Sequence, residues 1–303
     1  MPGAPQRARS PLKGESRPVT VVAAAGSLSM LNALVLGVLQ GFTELFPFSS
    51  LGIQVIVPKV LRWGLNQSSP QFLAFIVALH LGTALGLLAL FWRDWVRLLT
   101  ALWRSLVEGM ENVRRTPDQK TIWLLIAATV PAGIVGLLFR HPLGRLFAAP
   151  RLAAAMLIVN ALIMWAGDRR RRRQAGMPDM SFPQSIGIGV AQVLALIPGL
   201  SRSGVTMVAG LSVDLDYETA ARFSFLLATP IIGAAALLEV HKLTAGAHGL
   251  LHQAVLGLVA AAVVAYLSAR YLLRYFRTHN LSTLAAISAA TGVVASVLLA
   301  LHV

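Results

Sequence analysis

The sequence predicts an all-α polytopic membrane protein arranged as an inverted repeat, each half one re-entrant helical hairpin plus three transmembrane helices. Three observations carry that expectation. Of 303 residues, 56% are hydrophobic and only 13% charged, about half the roughly 25% typical of soluble domains and too little to cover a water-facing surface. Several apolar runs approach the roughly 20 residues that cross a bilayer as helix. Two of the runs flow into polar stretches rich in Pro, Gly and Ser, Glu44 to Gly52 and Pro198 to Gly204. Such backbone cannot face lipid and must be buried in protein or line a cavity.

Composition narrows the functions further. There is no cysteine, which excludes disulfides, thiolate catalysis and thiolate metal sites. The net charge is +14, from 26 basic and 12 acidic residues. In a soluble protein that balance would suggest nucleic acid. Here the basic residues cluster between apolar runs, so they read as topology anchors and contacts to anionic lipid heads, with no nucleic-acid partner.

Along the chain, residues 1 to 18, with Arg7, Arg9, Lys13 and Arg17, read as a disordered basic tail. A cleavable signal is considered because an apolar run follows from Thr20, but the run is long and lacks a persuasive cleavage site, so the segment is kept. Uncharged or nearly uncharged runs then fall at 20 to 43, 72 to 92, 121 to 139, 152 to 167, 183 to 201, 223 to 238, 250 to 269 and 281 to 301. Shifting by 152 residues superposes Gly37, Val38, Gln40, Ser49 and Gly52 on Gly189, Val190, Gln192, Ser201 and Gly204. Each half is therefore one interrupted segment followed by three spans: residues 19 to 167, and 183 to 303 after a basic cytoplasmic loop at 168 to 182. Three is odd, so if the interrupted segments are hairpins the second half is upside down relative to the first.

Charge tests that topology. Six spans and two hairpins place 93 to 120, Arg169 to Arg173, and Arg270, Arg274 and Arg277 on one side, the cytoplasm, and leave the basic tail outside. An eight-span arrangement puts the tail inside but exports Arg270, Arg274 and Arg277. The hairpin arrangement is preferred because it alone gives Glu44 and Arg202 a shared cavity. Residues 93 to 120, with Trp92, Trp95 and Trp103 about them, read as an interfacial amphipathic helix.

With the hairpin tips meeting inside the membrane, Gln40, Glu44, Ser49 and Ser50 approach Ser201, Arg202, Ser203 and Thr206. An ionisable group at that depth costs a few kcal/mol on insertion scales, so it marks a functional site by default. The plainer alternative is that Glu44 and Arg202 only neutralise one another. Against it, Pro198-Gly-Leu-Ser-Arg-Ser-Gly-Val-Thr206 supplies glycines for close backbone approach, hydroxyl donors and an Arg suited to phosphate oxygens. No Lys follows the glycine as in a nucleotide-binding loop. His80 lies within a span and reads as a neutral imidazole bonding a neighbouring helix. The other histidines show no metal-ligand spacing. Any metal would be a hard cation held by Glu44 and substrate phosphates.

The first motif, Gln40-Gly-Phe-Thr-Glu44-Leu-Phe-Pro-Phe-Ser-Ser50, and the second, Pro198 to Thr206, resemble those of undecaprenyl-diphosphate phosphatases of the bacitracin-resistance type. His80-Leu-Gly-Thr83 and Ala221-Arg-Phe-Ser-Phe-Leu-Leu227 extend the resemblance, which runs from about Leu31 to the C-terminus. It implies a multi-pass enzyme of the bacterial inner membrane that removes the terminal phosphate of undecaprenyl diphosphate, at a site built from two inverted hairpins and opening to the extracytoplasmic side. It implies Glu44 as essential acid, Ser50 as candidate nucleophile and Arg202 as diphosphate clamp. Gln40, Ser49, Ser201, Ser203, Gly204 and Thr206 would bind substrate, and a divalent cation, magnesium or calcium, would support activity. The implied partners are the polyprenyl diphosphate and membrane lipids, with a homo-oligomer left open. One position departs from the family pattern: where S-S-x-G-H is usual and its His is a proposed catalytic group, this chain has Ile53. Glu44 and a bound metal would then carry the proton work, or activity would be low, or the chain would be a non-hydrolytic paralogue. The alternative from another class is a carrier that moves polyprenyl phosphate across the bilayer through the same pocket, and phosphate release separates the two.

Overall fold

The computed structural model describes residues 28–109, 111, 113, 116–139, 149–169, 175–238 and 250–301. The N-terminal tail, Arg170 to Arg173, and His141, His241, His248 and His302 lie outside them. Among the described residues there are eleven α-helices and no strand, only an isolated bridge between Ala175 and Leu215. Six helices are long and apolar enough to cross a membrane: α3 (Pro70–Leu90), α5 (Pro117–Leu138), α6 (Pro150–Asp168), α9 (Tyr217–Leu238), α10 (Leu251–Tyr275) and α11 (Ser282–Leu301). Four shorter ones form two helical hairpins, α1 (Met30–Thr43) with α2 (Ser50–Val60), and α7 (Phe182–Val193) with α8 (Arg202–Ser212). At 14 and 12 residues, α1 and α7 rise only about 21 and 18 Å, short of the ~30 Å hydrocarbon core. By length and composition, six of the described helices and not eight are long enough to span.

Helix ends follow local chemistry. Ser29, Ser49, Ser69, Ser181 and Ser201 each accept a backbone N–H of the first turn that follows, satisfying a donor the helix cannot. Pro47 lacks an N–H and disfavours a helical Phe46, so α1 cannot continue across the tip. Pro198 and Gly199, the latter at φ +100°, break the second hairpin in the same way. Four long helices overrun their apolar runs. α9, for example, begins at Tyr217 rather than 223, because Glu218 and Arg222 end a hydropathy run without ending a helix.

The amphipathic expectation is met by α4 (Trp92–Val107), but the helix stops well before 120, at Gly109 with φ +96°. Its Val96, Leu99, Trp103 and Leu106 are exposed. The opposite face is tied down by Asp94, which accepts from Arg222 of α9 at 2.7 Å, and by Ser105, which accepts from Trp123 of α5 at 3.0 Å.

Packing is reciprocal between halves. The hairpin helix α1 lies on α10 of the second half, and α7 lies on α5 of the first; α3 meets α10 as α9 meets α5, and α6 pairs with α11. The fit of α10 between α1 and α3 is very close. A Cβ on Gly37 or Gly41 would stand 2.5 Å from the carbonyl oxygen of Gly257 or Ala261, and one on Gly82 or Gly86 would stand 2.3 Å from that of Leu258 or Ala262. Only glycine lets these backbones touch, the means by which small residues bring membrane helices together. This clamp fixes the end of α1, which carries Glu44, beside the middle of α3.

Candidate active site

Helix periodicity supplies the first layer. Gln40 and Glu44 are four residues apart and share a face at the end of α1, where Gln40 Nε2 donates to Glu44 Oε2 at 3.1 Å. After the tip, Ser50 opens α2 and its Oγ donates to the same carboxylate oxygen at 2.5 Å. Gln54, one turn along α2, donates through Nε2 to Gln40 Oε1. On α3, Thr83 Oγ1 lies 3.5 Å from Gln40 Nε2.

The second hairpin brings the cation. Arg202 begins α8, and its Nη2 and Nε donate to Glu44 Oε1 at 2.9 and 3.3 Å, while Nη1 donates to the Ser224 carbonyl at 3.3 Å. The carboxylate side chain is 7% exposed and the guanidinium 11%. A pair so far from water holds its geometry because breaking it strands a buried charge, at about 3–5 kcal/mol.

His80 is the neighbour that sequence reasoning misjudged. Its Nδ1 bonds the Ile76 carbonyl of its own helix at 2.9 Å, not a neighbouring helix, and its Nε2 faces Glu44 Oε2 at 3.7 Å. The signal was present as His80 and Thr83 one turn apart on an apolar span.

Not every residue expected at the site touches Glu44. Gln40, Ser50 and Arg202 do. Ser49 Oγ instead accepts from Gly52 N at 3.2 Å and, across the hairpins, from Gly199 N at 3.0 Å. Ser201 Oγ caps α8 through Gly204 N at 3.2 Å and pairs with Ser203 Oγ at 3.0 Å. Thr206 Oγ1 donates to the Arg202 carbonyl at 2.7 Å and meets Ser224 Oγ at 2.7 Å, so it braces the turn that presents the guanidinium. Gly204 lies where the hairpins touch; a Cβ there would stand 3.3 Å from Pro47 Cβ. Ile53 points elsewhere: it is buried with Ile56, Ala153, Leu157, Ala295 and Leu299. Gln54, its neighbour in sequence, turns toward Gln40.

The donor set suits a hard cation. Glu44 and the Ser50 hydroxyl offer oxygen ligands side by side, and the amide oxygen of Gln54 is a buried acceptor with no hydrogen-bond partner. No group of three His, Cys, Asp or Glu side chains gathers among the described residues, so a cation here would complete its shell with oxygens of a bound phosphate, as magnesium does at phosphoryl sites.

Comparison with known proteins identifies the family. The family model of bacitracin resistance protein BacA matches residues 33–294. An undecaprenyl-diphosphatase of Acidiphilium cryptum is 46% identical over 260 residues, 84% of this chain and 91% of that protein. Undecaprenyl-diphosphatase 2 of Burkholderia thailandensis is 47% identical over 251 residues, 82% of this chain and 89% of its own. An undecaprenyl-diphosphatase of Mycobacterium avium is 44% identical over 310 aligned residues, 91% of this chain and 99% of the relative. Since the family match takes in both hairpins and nearly all of the six long helices, the chain belongs to the bacitracin resistance protein BacA family.

Proposed function

We propose that this chain is an integral membrane phosphatase that hydrolyses undecaprenyl diphosphate to undecaprenyl phosphate and inorganic phosphate, renewing the lipid carrier of cell-wall glycan export. The observation that carries the reading is the junction of Glu44 with Arg202, 2.9 Å apart across 158 residues of sequence, with Ser50 Oγ on the same carboxylate. The relatives' shared name supplies the substrate.

In this reading Arg202 exchanges Glu44 for the diphosphate oxygens, aided by backbone N–H groups at the start of α8 and by the Ser203 hydroxyl. Ser50 Oγ passes its proton to Glu44 as it attacks the terminal phosphorus, the bond from that phosphorus to the bridging oxygen breaks, and undecaprenyl phosphate leaves. Water then cleaves the Ser50 phosphate ester. A water held by Ser50 and Glu44 is the other attacking group this geometry allows, and acid trapping of a phosphoserine distinguishes them. Glu44, with the phosphate oxygens, would hold a divalent cation, magnesium or calcium, whose chemistry would be to neutralise charge on the diphosphate. His80, whose Nε2 lies 3.7 Å from Glu44 Oε2, is then the side chain placed to relay the proton that Glu44 receives from Ser50.

The purified chain in detergent is expected to release inorganic phosphate from the C55 diphosphate, and Glu44→Ala and Arg202→Ala are each expected to abolish release. Near-normal release by either variant overturns the assignment. Binding of the lipid without any release by the unmodified chain would favour the carrier reading.

We further assign the chain to the bacterial inner membrane with its halves inverted and the site open to the extracytoplasmic side. The reciprocal packing and three long helices after each hairpin support the inversion, and the basic residues at Arg270, Arg274 and Arg277 support the cytoplasmic side. Because the chain has no cysteine, single cysteines at Asn66 and Asn280 can be labelled cleanly. They are expected to react with impermeant maleimide from the extracytoplasmic and cytoplasmic faces respectively, and reaction from one common face would discard the inversion.

A further inference from the structure

We propose that Asn160, a fully buried amide on α6, is a positioning residue that sets the separation of Glu44 and Arg202 by tying the two hairpin tips to one rigid helix. Its Nδ2 donates to the Pro47 carbonyl of the first tip at 2.8 Å, and its Oδ1 accepts from Ser201 N–H of the second at 3.0 Å. Pro47 lies three residues from both Glu44 and Ser50, and Ser201 immediately precedes Arg202. One planar group therefore joins the backbone of the acid's loop to the backbone of the guanidinium's helix.

The third bond fixes which way the amide faces. Ser288 Oγ of α11 gives its own hydrogen to the Leu157 carbonyl at 3.0 Å, so toward Asn160 it can only accept, and Nδ2 supplies the donor at 3.2 Å. A flipped amide would set oxygen against the Pro47 carbonyl and nitrogen against the Ser201 N–H, losing both ties. Both amide hydrogens are used, so no donor is left over to reach a phosphate. Gly204 completes the joint, since a Cβ there would press within 3.1 Å of Asn160 Oδ1. The Ser49–Gly199 bond runs parallel to this link, but it connects the tips only to each other. Asn160 refers both of them to α6, whose partner α11 holds it in turn.

A tie of this kind acts on the chemical step. A displacement of about 1 Å between reacting groups costs on the order of 100-fold in rate, whereas capture of the lipid depends on the tail as well as the headgroup. The size of this effect rests on the phosphatase reading; the tie itself does not. Asn160→Leu, close in volume and unable to form either bond, is expected to lower kcat about 100-fold with little change in KM. It should also speed hydrogen exchange in the peptides covering 45–50 and 199–204, read by mass spectrometry. Ser288→Ala removes two bonds that serve neither tip, the one from Asn160 and the one to the Leu157 carbonyl, and is expected to keep wild-type kcat and slow exchange in both peptides, even if its Tm falls. Should Asn160→Leu not yield monodisperse protein, Asn160→Gln carries the same test, because its amide is retained but displaced by one methylene.

Wild-type kcat together with unchanged exchange in a folded Asn160 variant overturns the proposal. So does a Ser288→Ala variant that matches Asn160→Leu in both readouts, since that is the behaviour of a general packing hub. If the unmodified chain releases no phosphate, the functional reading falls, and the exchange measurement still decides the tie.

Discussion

The two hairpins are built alike and equipped differently. Each is a short helix ending at a proline-bearing tip and followed by a serine-capped second helix. The first carries the acid and a chain of amides, Gln54 to Gln40 to Glu44. In the second, Gln192 matches Gln40 in the repeat, yet the position matching Glu44 is Leu196, and neither amide atom of buried Gln192 has a hydrogen-bond partner. The second hairpin contributes the guanidinium instead, at the first residue of α8. Two similarly built hairpins bring their tips to one place, and the difference between the tips divides the charges between them. One carboxylate and one guanidinium meet there; two copies of either would repel.

That division is most severely tested on α3, because among the described residues only the first hairpin has a His-bearing neighbour. His80→Gln preserves bulk and hydrogen bonding but cannot carry a proton, and phosphate release is expected to fall on the order of 100-fold or more, the range typical of a lost acid–base group. Unchanged turnover would return His80 to the plain role of a residue bonded to its own helix. Lesser effects should distinguish the paired glutamines. Gln40→Leu removes a donor to Glu44 and is expected to slow release measurably. Gln192→Leu removes an amide with no partner, so it should leave release intact and add up to roughly 1–3 kcal/mol of stability, the cost of an unsatisfied buried polar group, read as a higher Tm. Equal losses from both substitutions would mean that the halves have not diverged as described.

Hydropathy and punctuation made much of the fold legible before any coordinates. Apolar runs near bilayer length, a chain short of charge, and two tips marked by Pro47 and by Pro198 with Gly199 are local properties, and local chemistry decides them. The charged starts of α5 and α9 were harder to place, because a helix continues through Lys120 or Arg222 when those side chains have somewhere polar to go, as Arg222 has in Asp94. Motif residues were legible as types: a carboxylate, a guanidinium and clustered hydroxyls inside apolar sequence have few roles but phosphate chemistry.

Which of those side chains meet was decided elsewhere. Gln40, Ser50 and Arg202 reach Glu44, while Ser49, Ser201 and Thr206 spend their hydroxyls on caps and braces, a distinction that depends on where a donor happens to lie across 150 residues of chain. His80 and Asn160 stood in the sequence as single polar residues on apolar helices, and Ile53 as a motif vacancy. Helix rotation turned His80 toward the acid and Ile53 away from it, and the meeting of α6 with both tips gave Asn160 its three partners. Sequence fixes what each segment can bury and donate within a turn or two; long-range packing, set here by glycines that let backbones touch, fixes which donors and acceptors come within 3 Å of one another.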